Sequence, residues 1–348
     1  MPRETSSRVD QESANGLVGR RQELEILFKE VYLNPNIRFV NIAGTPDIGK
    51  SSLLRMVEGV CQRQRAPYPQ IPCATVDFAL PDSPTTPEEL KEYLGKQLLA
   101  GLFSGRPIMT RICGLAISVA APEERAAIFG EVSGLLKQRP VIILDSTERL
   151  DLPTRTAIKT LLVDPAIDLS FIDEQPPIFI WASPITDHNT DHLAIRMRAL
   201  EIPLGPLSLE ETQAQVGQSL AQRVYQSSGG YPRANQALKE ALSADFSLDD
   251  QRLAEIAYRT ARNFALGGVD DEIIRRLRIL ACLPPQDWNR LQENWSCFFP
   301  HEQRTGDKLL NLIDSFGSWC SFEDREGGLS VLEPIRTILA NAAKAGIN

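Results

Sequence analysis

The stretch Gly44-Thr45-Pro46-Asp47-Ile48-Gly49-Lys50-Ser51 decides the fold of this chain, because it matches the pattern G-x-x-x-x-G-K-[ST] at every fixed position. An apolar run over residues 39–43 precedes it and predicts a buried strand, and residues 52–57 predict the first turns of a helix. Loop N–H groups and a positive helix N-terminus together neutralise crowded phosphate charges. The stretch therefore predicts a binding site for a nucleoside triphosphate.

The residues of this loop have distinct expected roles. Gly44 and Gly49 allow the backbone to wrap closely around phosphates. Lys50 is expected to reach the β- and γ-phosphates and to assist catalysis, and the Ser51 hydroxyl is expected to bind Mg²⁺. The predicted nucleotide contacts here are Gly44, Thr45, Pro46, Asp47, Ile48, Gly49, Lys50, Ser51 and Ser52.

The composition is that of a globular protein with an acidic balance. The 348 residues include 45 Asp and Glu against 37 Lys and Arg, a net charge of −8, which argues against constitutive coating of nucleic acid. The length predicts two or three domains. No apolar run approaches the ~20 residues that span a bilayer, so no membrane partner is expected.

The N-terminus, the cysteines and the histidines favour a cytoplasmic protein without a metal cluster of its own. Residues 1–15 are polar, lack the apolar core of a secretory signal, and predict a disordered lead-in. The six cysteines are scattered without a C-x-x-C pair, which favours free thiols in a reducing compartment. His188 and His192 have i,i+4 spacing, but their polar surroundings predict a solvated loop.

Strand-like and helical patterns alternate over the first two hundred residues, which favours a parallel α/β sheet with helices on both faces. Thr86-Pro87-Glu88-Glu89 predicts a helix start with an N-cap and a proline at the first turn. Another helix is expected from about 122 to 137. The predicted strands are residues 39–43, 73–78, 141–144, 178–182 and 200–204.

The pattern changes near residue 206, after which helices dominate. Helices are expected over 209–225, opened by a capping box at 208–211, and over 233–242. Two more helices, a helix at 308–313, short strands at 319–322 and 329–332, and a last helix after Pro334 suggest a winged-helix module. The predicted organisation is a lead-in (1–15), a P-loop nucleotide-binding domain (16–206), a helical lid (207–247) and a winged-helix-like domain (248–348).

Four residues at the ends of predicted strands or in a predicted turn are candidates for the same site. Asp145 ends the third strand, where an acidic residue holds the Mg²⁺ water shell in P-loop enzymes. Glu148 is a candidate for orienting an attacking water. Ser183 follows the fourth strand and is either a γ-phosphate sensor or a plain turn hydroxyl. Pro232, in the turn 229–232, is either part of an inter-helix turn or a lid residue near the base or ribose.

In their order along the chain, these segments resemble the STAND-type P-loop ATPases, a class related to AAA+ proteins. Residues 17–24 resemble the G-R segment that covers the adenine, which adds Val18, Gly19 and Arg20 to the predicted nucleotide contacts. Residues 203–208 resemble the entry to the lid, and Gly230-Tyr231-Pro232 stands in place of the G-x-P motif. Residues 332–336 resemble the closing helix of the winged-helix domain. The resemblance covers about residues 16–345.

This resemblance implies an ATP- or ADP-bound switch whose nucleotide state controls domain arrangement, self-association or binding of a protein partner in signalling, regulation or defence. Two departures favour slow hydrolysis. Ser183-Pro184-Ile185 follows the fourth strand, where the family often has an arginine. Ser146 stands directly after Asp145, where many such enzymes have the acidic base, and the next acidic residue is Glu148.

Two other functions remain open on the sequence. One is a DNA-acting AAA+ ATPase of the initiator or transposition type, disfavoured by the acidity and by the absence of a Lys/Arg-rich recognition helix. The cluster of Arg275, Arg276 and Arg278 is the exception that would have to face DNA. The other is a non-hydrolysing adaptor that retains ADP permanently.

Overall fold

The structure is a computed structural model that describes residues 19–62, 71–81, 83–84, 86–103, 107–119, 124, 138–158, 160, 177–183, 199–298, 311, 313, 315–316, 319–323 and 328–347. The chain divides into two compact units. One comprises Met1–Ala43, Lys50–Ser183 and Thr190–Pro203, and the other comprises Gly44–Gly49, Pro184–Asn189 and Leu204–Asn348.

The first unit contains most of an α/β sheet. The helix over Arg21–Glu25 continues as a π-helix over Ile26–Val31, and a 3₁₀ turn over Thr147–Arg149 follows the third strand. The strands and helices in chain order are α1 (Arg21–Glu25), β1 (Phe39–Gly44), α2 (Lys50–Gln62), β2 (Cys73–Asp77), α3 (Pro87–Leu102), α4 (Pro107–Val119), β3 (Val141–Asp145), α5 (Leu152–Ile158), β4 (Ile178–Ser183) and β5 (Ala199–Leu204).

The five strands form one sheet in the order β2-β3-β4-β1-β5. The pairs β2–β3, β3–β4 and β4–β1 are parallel, so the carboxyl ends of these strands lie at one edge. Their apolar runs are buried, as a sheet covered on both faces requires. The predicted parallel sheet is confirmed, and β4 separates β1, which precedes the phosphate loop, from β3, which ends in Asp145.

Arg139 is a buried cation that fixes the connection between the N-terminal helices and β1. Its guanidinium donates to the carbonyl oxygens of Val31, Tyr32 and Asn34 at 2.7–3.3 Å, and also to that of Ile37. Val31 ends the π-helix, and Tyr32, Asn34 and Ile37 follow it, so these contacts hold the segment that leads from the helix to β1. Burial lowers the pKa of Arg139 to about 10. No local pattern in the sequence indicates this long-range contact.

The second unit is largely helical. Its elements are α6 (Leu209–Val216), α7 (Gln218–Ser228), α8 (Pro232–Ala244), α9 (Asp250–Asn263), α10 (Asp271–Ala281), α11 (Trp288–Glu293), α12 (Trp295–Phe298), β6 (Cys320–Glu323), β7 (Gly328–Val331) and α13 (Ile335–Lys344). The predicted capping box at the start of α6 is confirmed, because Ser208 Oγ accepts from Glu211 N–H at 3.1 Å and Ser208 N–H donates to Glu211 Oε2 at 2.8 Å.

The single helix predicted over 209–225 was wrong, since two helices occupy this region. Gly217 ends α6 and precedes α7 with φ of 95°, a conformation that an α-helix does not contain and that side chains rarely adopt. The apolar periodicity continues across the break, because both helices bury one face. Periodicity alone therefore concealed the break.

Helices α9, α10 and α13 share one core with the antiparallel β6–β7 hairpin. Gln286 pairs with Leu329 through an isolated antiparallel bridge. A Cβ at Gly328 would lie 2.7 Å from Pro285 Cβ, so glycine permits this close approach. This arrangement matches the predicted winged-helix module, with each strand shifted by one residue from its predicted bounds.

Several predicted segments lie outside the described residues. These are the lead-in 1–15, Val18, His188, His192, the helix 122–137 apart from residue 124, and the helix 308–313 apart from residues 311 and 313. The predicted domain boundaries stay predictions. Within the described chain, no helix combines the length and apolar character needed to cross a bilayer.

Candidate functional site

The phosphate loop turns sharply at its first glycine. A Cβ at Gly44 would lie 2.7 Å from Ile48 Cγ2 and 3.2 Å from Leu204 Cβ, so a larger residue would displace the loop. Ile48 N–H donates to Thr45 O at 3.3 Å, and the Ile48 side chain is completely buried. Gly49 has φ of 107°. An apolar anchor and a glycine at each end thus hold a tight backbone loop.

Asp47 is the loop residue with an ion pair to a later helix. Its carboxylate Oδ1 lies 2.9 Å from Nε of Arg233, the second residue of α8. The Arg233 guanidinium carbon lies 4.3 Å from the centroid of the Phe264 ring. Arg233 is thus positioned by a carboxylate and an aromatic face. Sequence reasoning selected Pro232, one residue earlier, and missed this pair.

The two predicted metal ligands lie together in the first unit. Ser51, in the first turn of α2, donates from Oγ to Asp145 Oδ1 at 3.1 Å. Ser146 N–H donates to the same oxygen at 2.8 Å, and Asp145 is only 5% exposed. A hydroxyl and a carboxylate are oxygen donors of the kind that Mg²⁺ takes. Lys50 is the first residue of α2, and Ser52 follows in the same turn.

The structure describes the contacts of some residues at the ends of β3 and β4, but not those of every predicted site residue there. Ser146 has φ of 61°, and Thr147 Oγ1 donates to Ala182 O at 3.3 Å, which ties the end of β3 to β4. Glu148 lies in the 3₁₀ turn and Ser183 ends β4, but both side chains lie outside the described part of the chain. Their predicted roles stay predictions.

The predicted adenine-covering segment is described from Gly19 onward. Gly19 and Arg20 both have positive φ, 85° and 67°. Arg20 is buried, and its Nη1 lies 3.3 Å from Glu23 Oε1. Arg20 O also accepts from Leu24 N–H at 3.1 Å. The contacts of Arg20 thus fix the start of α1, and its contact with a base stays a prediction.

Positive φ angles at residues other than glycine mark the predicted site. In the described ranges such angles occur at Arg20, Asp47 and Ser146. One lies in the predicted base-covering segment, one in the phosphate loop and one directly after Asp145. Left-handed backbone is unfavourable for side chains by about 1–2 kcal/mol per residue and clusters at functional sites.

The turn that contains Pro232 is held by a buried polar network. Ser228 Oγ accepts from Gly230 N–H at 3.1 Å and donates to Asn235 Oδ1 at 2.5 Å. Asn235 Nδ2 donates to Gln215 Oε1 at 2.9 Å, and Gln215 Nε2 donates to Pro232 O at 3.1 Å. The network fixes the backbone that leads into Arg233, and sequence reasoning did not identify it.

Tyr231 adds a buried phenol beside the phosphate loop. Its side chain is completely buried. Burial, together with the negative charge of Asp47, raises the pKa of Tyr231 above its ordinary value. Leu207 N–H donates to Gly230 O at 3.0 Å, and a Cβ at Gly230 would lie 2.1 Å from Leu207 O. The backbone at Leu207 therefore passes against this turn, which only glycine allows.

The arginine cluster on α10 is engaged within its own unit. Arg275 donates to both carboxylate oxygens of Glu272 at 2.6 and 2.8 Å, and Arg276 lies 3.0 Å from the same carboxylate. Hydrogen bonding from Arg275, with the charges of both arginines, lowers the pKa of Glu272 to about 2. Arg278 donates to Ile347 O and lies over the Tyr258 ring.

A scan of protein-family models and a search of curated proteins found no match to this chain. Among solved structures, a Walker-type ATPase of Pyrococcus abyssi aligns at 16% identity with a TM-score of 0.57, covering 97% of this chain and 95% of that chain. The Aeropyrum pernix ORC2 protein, in ADPNP–ADP complexes, aligns at 12% identity with a TM-score of 0.48, covering 98% and 94%.

The first of these likenesses shows the fold, and the second is too distant to add an argument. The chain has the fold of a P-loop NTPase: a five-stranded parallel sheet with a phosphate-loop sequence after β1 and an aspartate at the end of β3. The predicted fold class is confirmed.

Proposed function

We propose that this protein is an ATP-binding molecular switch of the STAND kind that hydrolyses ATP slowly. The observation that carries the proposal is the 3.1 Å contact between Ser51 Oγ and Asp145 Oδ1, at the end of β3. It joins the phosphate-loop helix to the strand aspartate, the pair of groups that holds Mg²⁺ in P-loop enzymes. The likeness in fold to a Walker-type ATPase supports the same proposal.

The residues present suit a magnesium-bound nucleotide. The tight backbone at Gly44 and the positive φ at Gly49 are suited to cradling phosphate oxygens, and Lys50 adds a cation at the helix N-terminus. Ser51 and Asp145 supply oxygen donors. A bound Mg²⁺ would neutralise phosphate charge, and the protein residues would position it.

Slow hydrolysis is inferred from Ser146. This nearly buried serine directly follows Asp145, where an acidic side chain would accept a proton from water. A serine hydroxyl is not a base near neutral pH, so rapid turnover would need a carboxylate from elsewhere. A long-lived triphosphate state suits a switch better than a rapid motor.

The Asp47–Arg233 ion pair supports coupling between nucleotide and the helical lid. It ties α8 to the loop proposed to hold phosphates. A ligand shifts a conformational equilibrium only by its different affinity for the two states. A nucleotide that changes the surroundings of Asp47 would therefore bias the position of α8, with Pro232 at its start, and so change self-association or binding of a protein partner.

The DNA-acting alternative receives no support from the described arginines. Arg275 and Arg276 both pair with Glu272, and Arg278 donates to the Ile347 carbonyl oxygen, so all three side chains are engaged within their own unit. Most non-specific DNA affinity comes from cations that neutralise phosphates. We therefore retain the switch as the proposal, with cytoplasmic location as an expectation.

Lys50→Ala tests the proposal. The substitution removes the cation on the β- and γ-phosphates and is expected to weaken ATP binding by about 3 kcal/mol, on the order of 100-fold. Isothermal titration calorimetry with ATP and Mg²⁺ measures this change. Lys96→Ala is the control, because Lys96 is exposed and pairs with Glu92 far from the loop in sequence. Equal affinity in the Lys50 variant and the control would refute the nucleotide site.

A further inference from the structure

Two parallel strands of the sheet end in aspartates that lie side by side. Asp77 ends β2 and is in register with Asp145, which ends β3. Neighbouring strands are about 4.8 Å apart, and paired residues of parallel strands project to the same face. The Asp145 side chain reaches Ser51 Oγ. Asp77 therefore projects to the face on which the proposed magnesium ligands meet.

The backbone around Asp77 is held firmly. Phe78 N–H donates to Asp145 O at 3.1 Å, which continues the strand pairing beyond Asp77. Tyr93 Oη donates to Asp77 O at 2.8 Å. Ala79 N–H donates to Asp77 Oδ1 at 2.8 Å, which fixes the carboxylate in a tight turn. A carboxylate held in this way is preorganised. The Asp77 side chain is half-buried.

The groups next to Asp77 are either already engaged or too weakly basic to accept a proton from water. Asp145 Oδ1 already accepts from Ser51 and Ser146, so Asp145 is occupied as the proposed metal ligand. Ser146 lacks the basicity to take a proton from water. Among the described residues, no cationic side chain forms an ion pair with Asp77.

We propose that Asp77 is the catalytic carboxylate that orients the attacking water and accepts its proton. This inference rests on the proposed ATP hydrolysis. The water oxygen forms a bond to the γ-phosphorus, and the bond from that phosphorus to the bridging oxygen breaks. The electron pair stays on the β-phosphate of ADP, and the proton passes to the Asp77 carboxylate and then to solvent. The products are ADP, inorganic phosphate and one proton.

The other role of Asp77 is to cap the turn at Ala79, and the two roles can be separated. Asp77→Asn keeps an Oδ1 that accepts from Ala79 N–H, so the turn survives, but the amide cannot accept the proton. Asp77→Ala loses both the turn bond and the base. A purely structural aspartate would tolerate asparagine and would suffer from alanine.

The experiment compares the parental chain with Asp77→Asn, Asp77→Ala and Glu148→Gln. For Asp77→Asn we expect ADP and a non-hydrolysable ATP analogue to bind within about twofold of the parental affinity, and thermal unfolding to stay unchanged. Single-turnover hydrolysis should fall at least tenfold, since base catalysis contributes about 10²–10⁴-fold. Glu148→Gln should retain more turnover than Asp77→Asn.

Bound nucleotide provides a further readout. Protein loaded with ATP and passed through a desalting column should retain ATP in Asp77→Asn and contain more ADP in the parental chain. Parental turnover by Asp77→Asn, or loss of turnover only in Glu148→Gln, would overturn the inference. A parental chain that binds ATP without hydrolysing it would also overturn it while leaving the nucleotide site intact. Absence of any nucleotide binding would overturn both this inference and the proposed function.

Discussion

At the scale of single residues, the phosphate loop depends on space as much as on charge. The Lys50 position provides a cation, but the turn at Gly44 exists only because no Cβ occupies the space beside Ile48 and Leu204. Methyl groups forced into such contacts displace a loop from the curvature that directs its N–H groups inward. Gly44 is therefore required by the lack of space for a Cβ, whereas Gly49 is required by its φ of 107°.

Gly44→Ala should destabilise the protein by about 1–3 kcal/mol, because the new methyl would lie 2.7 Å from Ile48 Cγ2. Chemical denaturation measures the change in the free energy of unfolding, and calorimetry measures the accompanying loss of ATP binding. Gly205→Ala is the matched control, since its Cβ would meet no atom within 4 Å. Equal stability of the two variants would show that the loop relaxes freely.

Some residues of the site were predictable and others were not. Ser51 and Asp145 were identified because the loop motif fixes one position and the end of an apolar strand fixes the other. Asp77 was not singled out, because its importance depends on register with Asp145, a tertiary relation that no local pattern contains. The contact between Arg233 and Asp47 was missed for the same reason, because 186 residues separate the two.

At the scale of elements, α10 is stabilised at its exposed face by one carboxylate shared between two arginines. Glu272 lies in the first turn, where a negative charge also interacts favourably with the helix N-terminus. Arg275 and Arg276 lie three and four residues later, the spacings that bring helix side chains together. Glu272 therefore partly neutralises two of the three arginines that lie close in sequence on α10.

Glu272→Gln should therefore destabilise the protein at neutral pH and have less effect in acid. The pKa of Glu272 is lowered to about 2 in the folded protein, whereas an unfolded glutamate titrates near about 4.3. The carboxylate contributes stability above pH 4.3, and this contribution is lost as the pH falls toward 2. The difference in unfolding temperature between the parental protein and Glu272→Gln should narrow as the pH is lowered from 7 to 3.

A difference in thermal unfolding that stays constant across that pH range would contradict the lowered pKa of Glu272. The absence of any difference at neutral pH would contradict it as well. Glu240→Gln provides the control, since Glu240 is an exposed helical carboxylate that accepts only from the neutral Gln236 side chain among the contacts described for it. Its effect on unfolding should be small throughout.

Helices and strands differed in how well the sequence predicted them. The buried strands were found because continuous apolar runs of four to six residues are typical of covered sheets. The break at Gly217 was missed because a glycine inside an apolar period resembles a tolerated helix residue. The pairing of Gln286 with Leu329 was also missed, since a bridge of one residue leaves no periodic pattern.

At the scale of the whole molecule, the proposed switch predicts that nucleotide changes association. ATP with Mg²⁺ should increase the mass measured by light scattering coupled to gel filtration, whereas ADP should leave it as purified. Lys50→Ala should not respond to ATP, because the nucleotide would bind weakly. Identical masses in every nucleotide state would argue against control of self-association and leave a different protein partner as the effector of the switch.

The order of strands has a consequence for how the protein is made. β1 lies between β4 and β5, and Phe39 pairs with Phe179, about 140 residues later. At about 5–20 residues per second, a ribosome needs roughly 7–28 s to supply that partner. Throughout this interval the edges of β1 lack the neighbouring strands whose N–H and C=O groups will pair with them. Premature association with other nascent chains is the hazard during this interval.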